Sequence, residues 1–262
     1  MATVPSYDSL LIPGVVKLDA VWEWFQWLNS EHGIKLTIFY DEWDRNRFFG
    51  GIWTTIHLSL VCMALSIVVG MGGAWLQMSR FIWIRRIVQG YIQFFRNTPP
   101  LVQLYFFYFA VDSALASVTG IEGGVFSSYG WAVISLSFFA GAFNVEIFRA
   151  GIESVPKSMV EAADSLGFTN FQVFCYVTMP LAYRVCLPAL NNNLINLIKT
   201  TTVAYAIAVP ETLYISNQIW SDEYNVPEMM NIVWGVYIIL VGILVTIMHR
   251  WEKSIRVPGF GN

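Results

Sequence analysis

Residues 52–78 read IWTTIHLSLVCMALSIVVGMGGAWLQM, an apolar run without one Lys, Arg, Asp or Glu. As an α-helix rising about 1.5 Å per residue it extends roughly 40 Å, enough to cross a bilayer's hydrocarbon core with some tilt. Four further segments repeat the message. One runs from about Ile87 to Val111 and is interrupted by Arg96-Asn97-Thr98-Pro99-Pro100; a third spans about Tyr129 to Phe148, a more polar fourth Pro188 to Leu213, and a fifth Asn231 to Met248. The fold this predicts is an all-α membrane protein with about five transmembrane helices. Polar residues in the second and fourth favour burial inside the bundle, because lipid offers no partner to an exposed donor or acceptor.

Composition agrees. Over 262 residues, 56% are apolar and only 13% charged, too few charges to cover a water-facing surface. Fifteen basic and eighteen acidic side chains give a net charge of -3, which leaves no electrostatic footprint for nucleic acid. Cys62, Cys175 and Cys186 are too few and too scattered for a disulfide framework or a zinc site. Residues 1–50 stand apart from the transmembrane region 51–262. They interleave Asp8, Asp19, Glu23, Glu31, Asp41, Glu42 and Asp44 with Trp22, Trp24, Trp27 and Trp43 and contain no long apolar core, so they do not read as a signal peptide. Val21 to Leu28 reads as a short interfacial helix, with a disordered extension as the alternative.

Orientation follows from the positive charges, which are retained on the cytoplasmic side. Arg80, Arg85 and Arg86 follow the first span; Arg149, Lys157 and Arg184 surround the loop between spans three and four; Arg250, Lys253 and Arg256 form the tail. The opposite loops, Asp112 to Ser128 and Glu211 to Glu228, hold no Lys or Arg but carry Asp112, Glu122, Glu211, Asp222, Glu223 and Glu228. This bias predicts an outer N-terminus, an inner C-terminus and a cytoplasmic third loop.

That loop reads SVPKSMVEAADSLGFTNFQ over residues 154–172. Pro156 suits a first helical turn, and Gly167 suits the left-handed residue that ends a helix, which predicts a short helix at about Pro156 to Leu166. Met159, Val160, Ala163 and Leu166 give it an apolar face, while Ala162 and Ala163 keep it slim. Thr169 with Gln172 fits a capping box, so a second helix is predicted from Asn170 to about Thr178, before Pro180. The corner packs on its own spans or docks in a partner's groove.

Glu161-Ala162-Ala163, then Gly167, then Val177, Met179 and Pro180 resemble the EAA loop of the integral membrane subunits of binding-protein-dependent ABC importers. Phe95-Arg96-Asn97-Thr98-Pro99-Pro100-Leu101-Val102-Gln103, Glu146-Ile147-Phe148-Arg149-Ala150-Gly151-Ile152, Pro188-Ala189-Leu190-Asn191-Asn192-Asn193 and Leu197-Ile198-Lys199 resemble the polar amino acid permease branch. The likeness covers about residues 50 to 260. It implies a permease subunit in the bacterial inner membrane, a partner dimer of cytoplasmic ABC ATPases holding ATP and Mg, a second permease, identical or related, and a periplasmic binding protein. It also implies that Lys157, Glu161, Ala162, Ala163, Leu166 and Gly167 form the ATPase-coupling element, with no covalent catalysis. No Gly-x-x-x-x-Gly-Lys-Ser/Thr occurs, so the energy must come from another chain. Three departures stand out: Ser158-Met159 for Gly-Gln, Met179 for leucine, and Thr200 where an acidic residue is frequent; the last argues against a cationic substrate.

Polar groups inside spans need partners away from lipid. Asn193, Asn196, Lys199 and Thr200, at offsets of three, six and seven, read as one stripe facing the bundle interior, where Lys199 would pair with carbonyls, neutralise, or attract a substrate carboxylate. Arg96 and Asn97 precede the Pro99-Pro100 break, which reads as a pathway lining or hinge, with snorkelling of Arg96 to the lipid edge as the alternative. Glu146 and Arg149 read as a helix-surface ion pair. A stand-alone secondary transporter or channel and an intramembrane enzyme are the rivals; His32, His57 and His249 lack a nearby nucleophile signature, which disfavours the enzyme.

Overall fold

A computed structural model describes residues 18–121 and 123–255; Asp8, Glu122 and Arg256 lie outside these. Among the described residues, secondary structure is helical throughout, and five helices are long and apolar enough to cross a membrane: Glu42–Gln77, Pro100–Thr119, Ser128–Glu153, Asn170–Ile207 and Val226–Ser254. The count agrees with the sequence. Two of the boundaries do not.

The second segment divides. α3 (Ile82–Asn97) is a separate amphipathic helix, the chain breaks at Thr98 and Pro99, and the span proper begins with α4 (Pro100–Tyr105). A π-helical segment, Phe106–Val111, leads into α5 (Asp112–Thr119), so Asp112 continues the helix instead of opening a loop. Its carboxylate is satisfied within the fold, accepting from Trp131 Nε1 and from the amides of Val125 and Phe126. Gly120, at φ 71°, ends α5 in the left-handed region.

The fourth segment begins earlier than its apolar core suggests. α8 (Asn170–Val173), a π segment (Phe174–Thr178), α9 (Met179–Thr200) and a 3₁₀ segment (Thr201–Ile207) run on without a gap. Pro180 therefore does not stop the helix. The π segment before it, whose last bond runs from Met179 N–H to Phe174 O, widens the turn that the proline ring would otherwise crowd.

By contacts the chain forms two compact units. One comprises residues up to Thr55 with Pro210–Ile239. It contains α1 (Leu18–His32), the start of α2 (Glu42–Gln77), α10 (Thr212–Glu223) and the start of α11 (Val226–Ile255) around Ile38, Phe48, Ile215, Ile219 and Met229. The tryptophan-rich segment Val21 to Leu28 falls within α1, where Trp22 stacks under Arg45 at 3.9 Å. Arg47 bridges Asp44 and Asp222, both at 2.8 Å.

The other unit comprises Ile56–Val209 with residues from Leu240 onward. Its axis is α6 (Ser128–Glu153), the most buried span, packed along α9 and against α3 and α4. Small residues permit the close crossings: a Cβ on Gly70 would run into Asn144, one on Gly73 into Val145, and one on Gly151 into the Ala182 carbonyl. Without water to expel, such backbone proximity is what holds helices together in a bilayer.

Candidate functional site

The corner predicted between spans three and four is formed by α7 (Lys157–Ser165). Pro156 is its N-cap, and Leu166 and Gly167 close it. Gly167 sits at φ 83° and its N–H donates to Asp164 O at 2.9 Å, while Phe168 N–H reaches back to Ala163 O at 3.2 Å. These two bonds make a Schellman closure, which needs a left-handed residue at position 167 and is cheapest with glycine. Two residues on, Thr169 N–H donates to Gln172 Oε1 at 2.8 Å and Gln172 N–H to Thr169 Oγ1 at 3.4 Å, completing the capping box. The end of one helix and the start of the next are thus each fixed by local bonds.

Of the six residues expected on this element, Lys157, Glu161, Ala162, Leu166 and Gly167 are exposed, and Ala163 alone is buried. The apolar face expected from Met159, Val160, Ala163 and Leu166 is therefore incomplete: Leu166 is 77% exposed.

The second set does not lie on one interior stripe. Asn193 is tied in, its Nδ2 donating to Asn144 Oδ1 at 2.7 Å and to Ala140 O at 3.0 Å. Asn144, fully buried, in turn donates to Ser66 Oγ at 3.1 Å, so α2, α6 and α9 share one polar chain. Thr200 is half-buried, while Asn196 and Lys199 are exposed on this chain. The reason is rotational. At about 100° per residue, an offset of six carries Lys199 some 240° from Asn193, onto the face opposite Leu190, Leu194 and Leu197.

Arg96 reaches across to α6. Its Nη1 lies 3.6 Å from Glu146 Oε2 and its guanidinium 5.3 Å from the Phe143 ring centroid. Arg149 joins the same carboxylate at 3.1 Å and Glu153 at 2.7 Å, so the expected Glu146–Arg149 pair is one part of a four-member ladder. Asn97 stays on its own helix, donating to Gln93 Oε1 at 2.8 Å.

Two polar residues at the break and the crossing escaped the sequence reading. Pro99 has no amide to give the Phe95 carbonyl four residues back. Gln103 supplies the missing donor: its Nε2 lies 2.8 Å from Phe95 O, 2.9 Å from Thr98 O and 2.6 Å from Thr98 Oγ1. Its position just after Pro99-Pro100, and the isolation of Asn144 in an apolar helix, were the available signals.

A further buried group lies in the first unit. Glu211 is fully buried as the N-cap of α10, accepting from Leu213 N (2.9 Å), Tyr214 N (2.7 Å) and Tyr237 Oη (3.1 Å). Burial pushes its carboxyl up to about 7, against the opposing pull of those donors. Among the described residues no cluster of His, Cys, Asp and Glu has the makings of a metal site.

Residues 48–253 match the family described as binding-protein-dependent transport system inner membrane component. The chain is 28% identical over 223 residues to the probable glutamine ABC transporter permease protein GlnM of Bacillus subtilis, covering 85% of this chain and 99% of that relative. It is 31% identical over 216 residues to the histidine/lysine/arginine/ornithine transport system permease protein HisM of Escherichia coli, covering 77% and 87%. Among solved structures, one described as an amino acid ABC transporter with histidines superposes with a TM-score of 0.70 at 27% identity, over 80% of this chain and 94% of that one. The inward-facing MetNI methionine ABC transporter superposes at 0.66 with 19% identity, over 83% and 100%, a likeness of fold.

Proposed function

Because the chain belongs to the family of binding-protein-dependent transport system inner membrane components, we propose that it carries a polar amino acid through the inner membrane, driven through α7. It is a multi-pass permease subunit of an ABC importer, a transport component whose ATP is hydrolysed on a separate chain. The polar amino acid is a reading supported by the relatives, whose names give glutamine in one case and histidine, lysine, arginine and ornithine in another. Thr200, in place of an acidic residue, argues for a neutral solute over a cationic one.

The observation that carries the coupling role is the exposure of Glu161 and Ala162 on a helix whose far end is rigidly closed at Gly167. A surface that slim admits another backbone, and a corner fixed by local bonds moves as a body. In this reading a dimeric cytoplasmic ATPase, loaded with ATP and Mg, grips α7 through Lys157, Glu161, Ala162 and Leu166, while the buried Ala163 seats the helix on its own chain. A periplasmic binding protein delivers solute from the other side. The N-terminus is then periplasmic, the C-terminus cytoplasmic, and residues 1–50 belong to the periplasmic interface.

Asn196 and Lys199, open on this chain, are placed against a second permease, identical or related, so that the passage forms between two subunits. Asn193 and Thr200 flank it, and Arg96 and Asn97 stand at its inner end beside the helix break. Lys199 there attracts a substrate carboxylate. Reconstitution in proteoliposomes tests the whole: uptake should appear only with ATPase, binding protein and ATP together. Uptake by this chain alone would make it a secondary carrier. Lys199→Met should lower uptake more than protein abundance, and a matched fall in both would return Lys199 to a structural role.

A further inference from the structure

Residues 18–47 precede the part of the chain that matches the family, yet they are fastened to it. Within the first unit, residues 33–40 follow α1 as a strap and are sewn through Lys35 to the turn that joins α10 to α11. The Lys35 N–H donates to Glu228 Oε1 at 3.3 Å and its Nζ to Glu223 O at 3.2 Å, while its carbonyl accepts from Asn225 Nδ2 at 2.9 Å. One residue thus grips the end of α10, the buried Asn225 of the turn and the first turn of α11. Farther along the strap, Ile38 is buried in the cluster that holds Ile215, Ile219 and Met229.

The residue held in that turn is Tyr224. It closes α10 at φ 56°, in the left-handed region, a C-cap position that glycine fills without a side-chain penalty. Tyrosine strains the backbone there, and nothing inside the chain offsets the strain: the side chain is 88% exposed, and among the described residues no hydrogen bond, ion pair or ring contact engages it. A pinned backbone carrying a free aromatic side chain suits a recognition anchor, since little freedom is left to lose on binding. The surrounding charge selects the partner. Asp222, Glu223 and Glu228 flank Tyr224, and Glu211 to Glu228 contains no Lys or Arg. Arg47 is shared between Asp44 and Asp222, so the surroundings stay negative. Such a turn repels an anionic lipid surface and attracts a protein face that carries Lys and Arg.

We propose that the Tyr224 turn, preset by the Lys35 strap, is an anchor for the solute-loaded binding protein, on a face of that partner where Lys and Arg surround an apolar pocket that takes the ring. This role deepens the importer reading and rests on it, because that reading turns the first unit to the periplasm. The strap precedes the family match, so a segment outside the shared permease region sets the docking strength.

The test uses the assembled importer in nanodiscs and the binding protein that drives its uptake in proteoliposomes, with association followed by surface plasmon resonance. Tyr224→Gly should weaken association about tenfold or more, the loss typical of an aromatic anchor. Its midpoint of thermal unfolding should hold or rise, because glycine relieves the left-handed residue, which separates docking from a structural role. Tyr224→Trp should keep most of the affinity. Lys35→Met removes only the Nζ bond to Glu223 O and should weaken association less than Tyr224→Gly does. Added salt should weaken the parent's association, chiefly by slowing it. A photoreactive benzoylphenylalanine introduced in place of Tyr224 should cross-link to the binding protein. Unaltered affinity in Tyr224→Gly, affinity indifferent to salt, or cross-linking to lipid instead would each overturn the docking role and leave the importer standing. If no binding protein drives uptake, the importer reading falls and the docking role falls with it.

Discussion

Two of the breaks between helices in this chain are closed by contrasting means, those at Leu166–Gly167 and at Thr98–Pro99. The first corner is exposed and closes with its own backbone, Gly167 and Phe168 bonding back to Asp164 and Ala163. The second lies at the head of a membrane span and is closed by a buried side chain from the next helix, Gln103. Water can rescue an orphan carbonyl at a surface, so local geometry suffices there. Within a bilayer bundle nothing can, and the fold must bring a donor of its own. A defect of equal chemistry should therefore cost far more at the second site.

The sharpest test is Gln103→Leu, which leaves the Phe95 and Thr98 carbonyls without their donor. About 3 kcal/mol of stability should be lost, at roughly 1–3 kcal/mol for each buried group left unsatisfied, read as a lower midpoint of thermal unfolding in detergent. A change within experimental scatter would mean that the break needs no protein donor. Glu211 extends the contrast, being a buried acid that caps a helix. Its folded pKa of about 7 lies above the 4.5 of the free carboxyl, so the native state holds the proton more tightly. The stability it contributes is complete below about pH 4.5, fades as pH rises and is gone above about 7, a swing of about 3 kcal/mol at 1.36 per unit. Glu211→Gln should flatten that part of the pH–stability curve; a slope identical to the parent protein's would assign the pH dependence elsewhere.

At the exposed corner, effects on stability should be smaller and effects on transport larger. Gly167→Val forces a branched residue into the left-handed region at a cost of about 1–2 kcal/mol, with membrane insertion retained and ATPase association and uptake reduced. Normal uptake in vesicles would detach the corner from coupling. Thr169→Ala removes one side of the capping box and should cost about 1 kcal/mol or less. A loss as large as that of Gln103→Leu would erase the proposed distinction between the two regions.

What could be read from the residues alone divides along the same line. The five spans, Gly167 as a helix end and the Thr169–Gln172 box were legible because hydropathy and caps are local signals. Continuity through Pro180 was not, because the π segment that accommodates it leaves no compositional mark. Nor was Asp112 as a helical residue, since its satisfaction depends on Trp131, nineteen positions away. Asn193, Asn196, Lys199 and Thr200 do share an arc of about 120° on α9, but that this face turns away from the chain's own leucine core, and that Ser66, Asn144 and Asn193 meet, required knowing which helices cross. The Arg96–Glu146 pair was hidden likewise, its two halves lying in separate helices.

The π segment at Phe174–Thr178 lies between the corner and the helix that bears Asn193. It holds one residue more than an α-helical turn would, and so sets the rotational phase between the two. Deleting a single residue there would leave helix on both sides but swing α7 by about 100° around the shared axis. Every contact could then survive locally while the gearing between them was out of mesh.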